Sequence, residues 1–131
     1  MRAEKVIAAL LNAAAPVTAI VGSRIYGNVA QEQAPAPLIV YRKLGAQRVD
    51  AVSMPSEAVV ESRVEVLIVA STYEQLKDLA EKVRIALSYK RGAIAGVDCI
   101  NVDIADEGPD DYDPDLREHG QTWAYLVRHT E

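Results

Sequence analysis

The sequence predicts an α+β domain: a mainly antiparallel sheet of four or more strands packed against two principal helices, in the order α-β-β-α-β-β. Three observations predict it. Apolar residues recur at three- and four-residue steps over Ala3–Ala14 and Tyr73–Tyr89, the period of an amphipathic helix. They alternate over Val59–Ala70 and Val97–Ile104, the period of a strand. With 131 residues, 50% of them hydrophobic, the chain can bury one core and is read as a single domain, 1–131.

In the first helix Val6, Ile7, Leu10 and Leu11 fall on one stripe, and Pro16, which has no amide hydrogen to donate, stops it. Val17–Val21 adds a short helical turn before Gly22. Arg24-Ile25-Tyr26 is extended. The two Ala-Pro pairs within Gly27–Pro37 hold the residues before them out of the helical region, so this polar stretch is a surface excursion. Leu38–Leu44 begins apolar and β-branched, as a strand requires. Gly45–Ala58 contains Pro55 and no steady period, and is expected to be a mobile loop or hairpin extension.

Val59–Ala70 is the strongest strand signal, with Val64, Val66, Ile68 and Ala70 on one face and Glu65, Leu67 and Val69 on the other. Ser71 with Glu74, or Thr72 with Gln75, forms a capping box for the second helix. Leu76, Leu79, Ala80, Val83 and Leu87 make its stripe. Lys90-Arg91-Gly92 ends it, with bases suited to the negative helix end and a glycine suited to a left-handed cap. After Val97–Ile104 comes an acidic loop, and Gln121–His129 closes the domain with Trp123, Tyr125 and Val127 on one face.

The net charge of -5 is unevenly distributed. Residues 103–118 hold eight acids against Arg117, a balance of -7, which leaves 13 bases and 11 acids, or +2, elsewhere. Free-standing nucleic-acid binding, which needs a basic surface, is thereby disfavoured. No apolar stretch reaches the ~20 residues that span a bilayer. Arg2 and Lys5 before an apolar run, with Val17-Thr18-Ala19 behind it, imitate a secretion signal; Glu4, Asn12 and Pro16 argue against that reading. The single cysteine, Cys99, excludes an internal disulfide and fits a reducing compartment.

Motifs for chemistry fail one by one. In a calcium-loop frame Asp111, Asp113 and Asp115 take the first, third and fifth positions, but Leu116 stands where glycine is needed and Thr122 where a bidentate glutamate belongs. Three readings of the acidic loop stay open: a solvated loop, a looser divalent-cation site, and an electrostatic role in assembly. His119 and His129 sit in no metal-binding frame and are expected at the surface or at strand ends. Cys99 is placed on a strand with no histidine near it and is read as a packing residue, not a nucleophile. Ser23 lacks the second glycine of a nucleophile elbow, and Gly92 and Gly96 open no phosphate loop. No catalytic, cofactor or metal residue is assigned, and the expectation is that the protein is not an enzyme. A basic cluster of Arg42, Lys43 and Arg48 at a strand-to-loop junction is either solvated or an interface for an acidic surface. With Asp110, Asp111 and Asp113 it makes up the candidate interface residues. Large apolar residues on both faces of Val64–Ala70 point to an uncovered sheet face and hence to self-association.

The order of segments resembles the tail-completion proteins of long-tailed bacteriophages and prophages, related in fold to tail terminators. The resemblance rests on the helix ending at Pro16-Val17-Thr18, on Arg24-Ile25-Tyr26, and on the Gln/Pro-rich approach Gln31–Pro37 to Val40-Tyr41. It continues through the strand Arg63–Ala70 running into Thr72-Tyr73 and through Tyr112 in the acidic loop. Gly27 departs from the pattern, which often has proline there. The resemblance implies a head-tail joining protein that forms a ring, commonly hexameric, at the head-proximal end of the tail tube. Its partners would be itself, the major tail tube protein and head-connector proteins, with DNA passing through the lumen. It would reside in the host cytoplasm during assembly and then in the virion tail, with no cofactor and no membrane. The rival classes are a free-standing small-ligand-binding module and a divalent-metal-dependent hydrolase using the acidic loop.

Overall fold

The computed structural model describes residues 2–31, 33–49 and 59–130. Three helices, α1 (Arg2–Ala13), α2 (Ala15–Val21) and α3 (Tyr73–Leu87), cover one face of a six-stranded sheet. The strands are β1 (Ile25–Gly27), β2 (Leu38–Val49), β3 (Val59–Ala70), β4 (Gly92–Ile94), β5 (Val97–Asp113) and β6 (Glu118–Thr130). Across the sheet they run β1-β2-β3-β6-β5-β4. The pair β1–β2 is parallel and the others are antiparallel, so the α+β class holds but the sheet is mixed. The observed order α-α-β-β-β-α-β-β-β replaces the expected α-β-β-α-β-β, and three helices replace two. The extra strands, β1 and β4, have three residues each, too few to show a period.

Local chemistry sets the helix ends. Pro16 lies in the first turn of α2, where a missing amide hydrogen costs nothing, and the chain bends by 84° between α1 and α2. Thr72 Oγ1 accepts from the Gln75 amide at 3.1 Å while the Ser71 amide donates to Gln75 Oε1 at 3.1 Å, so the Thr72 frame caps α3. At the other end Tyr89 (φ 60) takes the left-handed position next to the helix, and Gly92, also at positive φ (108), opens β4.

One core lies between the helices and the sheet. It joins Val6, Ile7 and Leu11 of α1, Val17 and Val21 of α2, and Leu76, Leu79, Val83 and Leu87 of α3 to Val64, Val66, Ile68, Tyr125 and Val127. These side chains are enclosed, and each contributes about 1.5–3 kcal/mol by leaving water.

Two strands exceed their expected length. β2 continues past a bulge between Lys43 and Gly45 and pairs with β3 as far as Val49↔Val59. Of the two readings of this segment, loop or hairpin extension, residues 45–49 take the second, and residues 50–58 lie outside the described residues. β5 runs to Asp113, so most of the acidic loop is one arm of a β5–β6 hairpin. Pairing with β6 makes it a strand, although its own residues do not alternate. At Gly108 a Cβ would meet the Thr122 carbonyl oxygen at 2.2 Å, and Gln121 Nε2 donates to the Gly108 carbonyl at 2.9 Å. Only glycine permits that approach at the bulge between Glu107 and Asp110. Gly27 has a similar reason: a Cβ there would lie 3.1–3.2 Å from the Tyr41 ring.

Candidate functional site

The face of the sheet opposite the helices is uncovered, and it divides into an apolar half and a charged half. Register sets Leu38 beside Val69 and Val40 beside Leu67, all one residue out of phase with the core positions Ile39, Val66 and Ile68. These four floor a cleft of about 610 Å³ between residues 28–31 and the β5–β6 turn, with Val29 and Leu116 on its walls. Leu116 is 65% exposed and Val29 71% exposed, both unusual for side chains of this kind away from a contact surface. Further along the same face Arg42 pairs with Glu65 at 2.6 Å, and Arg128 bridges Glu61 at 2.9 Å and Asp103 at 3.3 Å.

The hairpin tip carries the acids. Tyr73 Oη donates to Asp110 Oδ2 at 2.7 Å and Lys77 Nζ reaches Asp110 Oδ1, which together latch the hairpin to α3. The Lys77 hydrogen bond, reinforced by that of Tyr73, holds the Asp110 carboxyl below the usual carboxylate range. Asp113 Oδ1 accepts from the amides of Asp115 (2.9 Å) and Leu116 (3.3 Å) and so closes the turn. Asp111 has no side-chain partner among the described residues and is exposed. His119 packs between the Tyr73 and Tyr112 rings, at 5.9 and 4.7 Å. No three His, Cys, Asp or Glu side chains converge in a metal-binding group among the described residues.

A second concavity, about 340 Å³, lies on the helix side at the other end of the sheet, where α1 begins under the β2–β3 arm. Among the described residues Arg2, Lys43 and Arg48 line it against one acid, Glu4, whose buried Oε1 has no hydrogen-bond partner among them. Its floor holds Ser62 (2% exposed) and His129 (4% exposed), joined at 3.1 Å through Ser62 Oγ and His129 Nε2. His129 Nδ1 lies 3.0 Å from the Thr130 carbonyl, which only accepts, so Nδ1 donates to it.

The predicted basic cluster is thus divided. Lys43 and Arg48 share the helix-side pocket, whereas Arg42 lies opposite Glu65 on the open face; all three are on β2, not at a junction with a loop. Asp110, Asp111 and Asp113 remain together on the hairpin, on strand β5. His129 stands at the end of β6, the strand-end position expected, but is buried there. Cys99 is enclosed, and burial pushes its thiol up; against the expectation that no histidine lies near it, strand pairing sets it opposite His129. Arg2, Glu4 and Ser62 escaped the sequence reading. The available signal was Ser62 itself, a polar residue in phase with Val60 and Val64 on the covered face of β3.

The family model for "Tail completion protein gp17" matches residues 4–127. The chain belongs to that family. Its likeness to solved structures agrees in fold: a chain of a structure titled "Virion of native gene transfer agent (GTA) particle" superposes with a TM-score of 0.70 at 18% identity, over 99% of this chain and 98% of that one. No curated protein matches the sequence. Membership of the tail completion family makes this a phage structural protein.

Proposed function

We propose that this tail completion protein assembles as a ring, a hexamer in the finished tail, at the head-proximal end of the tail tube. There it ends tube growth and offers a surface to the head connector. The observation that carries the reading is the open sheet face, where Leu38, Val40, Leu67 and Val69 floor a cleft on a chain whose family is one of tail completion. Burying that face against a second copy supplies most of the association energy, and charged side chains set the register. The likeness to a chain in a virion-type particle supports assembly with other structural proteins. The excess of acids keeps DNA sliding through the lumen without sticking. The protein works in the host cytoplasm during assembly and then in the virion tail.

On this reading the Ser62–His129 pair joins strands and does no chemistry. Sedimentation of the purified protein, alone and with tube protein, tests the ring. Association and end-on decoration of tubes are expected, and a monomer that ignores tube ends would overturn the proposal. Hydrolase screens with and without divalent ions are expected to show nothing that Ser62→Ala, Asp111→Ala or Asp113→Ala abolishes; one such loss would restore the enzyme reading.

A further inference from the structure

Strand β6 begins in the acidic hairpin at Glu118 and ends in the basic pocket at His129. Eleven steps at ~3.3 Å separate these positions by roughly 35 Å, so the hairpin tip of one chain cannot enter its own pocket. The molecule therefore has unlike poles. Residues 106–115 hold six acids and no base, while among the described residues three cations line the pocket against a single acid, in a chain of net charge -5. The amides of the first turn of α1 add to the positive field there.

The structure also separates tip acids that are already engaged from those that are not. Asp110 is held by Lys77 and Tyr73, and the Asp113 carboxylate closes the turn. The side chains of Asp111 and Asp115 have no partner among the described residues, and both are exposed. Lys43 likewise has none among the described residues and lines the pocket mouth.

We propose that the helix-side pocket receives the β5–β6 hairpin tip of a second copy, with Asp111 and Asp115 set against Lys43 and Arg48. This rests on the ring reading and names its charged contact. Because the two surfaces differ, the contact is head-to-tail: each copy gives a tip and accepts one, so the series propagates until it closes. Arg42, on the opposite face of β2, and Asp110, latched to α3, stay outside it.

Charge reversal with a mixing control is decisive. Lys43→Glu with Arg48→Glu makes both poles acidic, and Asp111→Lys with Asp115→Lys makes the tip basic. Each variant is expected to melt like the parent and to associate about ten-fold more weakly, an effect that salt erases in the parent. Mixed in equal amounts, the two variants restore association, since each tip now meets an opposite pocket. Mixtures as weak as either variant alone would overturn the proposal. Carbodiimide coupling gives a second measure that needs no stable ring: a peptide joining Lys43 to Asp111 or Asp115 is expected, must be intermolecular, and disappears in Lys43→Arg. A ring without that cross-link overturns the contact alone, whereas the cross-link without a ring keeps the contact and overturns the ring.

Discussion

Along β3, Val64, Val66, Ile68 and Ala70 are fully enclosed beneath the helices, whereas Glu65, Leu67 and Val69, one residue out of phase, face the open side of the same sheet. The chemistry of the two sets overlaps, since leucine and valine stand where a solvated face would carry polar residues. The difference lies in what covers them. Helices of the same chain enclose the first set, and no helix covers the second. A sheet solvated on one side alternates apolar with polar; here the alternation breaks only near the end of β3, and that is where the cleft opens.

The largest effect that separates the faces is on subunit stability. Ile68→Ala removes an enclosed side chain and is expected to cost about 2–5 kcal/mol in chemical denaturation. Leu67→Thr, one residue away, puts a β-branched side chain suited to a strand on a partly exposed position and is expected to cost about 1 kcal/mol or less. That variant should instead weaken self-association and tube-end binding. Equal losses of stability at both positions would erase the distinction between the faces.

A smaller change sharpens the covered side. The Tyr125 hydroxyl and Trp123 Nε1 are buried without partners in the core layer, and burial pushes the Tyr125 phenol strongly up, so it stays protonated. Tyr125→Phe removes an unsatisfied polar atom and keeps the ring, which lies 6.3 Å from Trp123. Stability is expected to stay level or to rise by up to about 1 kcal/mol in the melting curve. A marked loss would mean that the hydroxyl has a partner, such as an ordered water.

Much of this was legible in the sequence, for a physical reason. Val59–Ala70 and the helix begun by Thr72 are ruled by the packing of one apolar face, and packing writes a period into the chain. The uncovered face was legible as well, in Leu67 and Val69. The acidic hairpin was not, because its strand is solvated, is interrupted by three bulges in β5, and is held by contacts far away in sequence, from Tyr73, Lys77 and Gln121. The basic pocket was hidden for a related reason. The bulge between Lys43 and Gly45 sets Lys43 and Arg48 on the helix side while Arg42 faces the other way, and only β-pairing brings Ser62 to His129.

The smallest expected effect concerns the latch that ties the exposed hairpin to the covered layer. Lys77 first and Tyr73 second hold the Asp110 carboxyl below its usual range, while the Asp110 hydrogen bond holds the Lys77 ammonium above its own. For Asp110 the folded value lies below the unfolded one. Its contribution is therefore complete above the ordinary aspartate range, near ~4, and fades as the pH falls through the lower folded value. For Lys77 the sign reverses, and the contribution is lost only as the pH rises through its raised value. Between these limits the latch stays closed, so neutral conditions leave the hairpin tip presented in one orientation. Hydrogen exchange over residues 106–118 is expected to quicken on acidification beyond the intrinsic pH effect, while exchange in the core of β3 keeps to it. In Asp110→Asn, which has no carboxylate to titrate, the extra acid response of the hairpin should disappear. If the asparagine variant responds to acid as the parent does, the hairpin is held by its pairing with β6 and the turn closed by Asp113, and the latch has no part in orienting it.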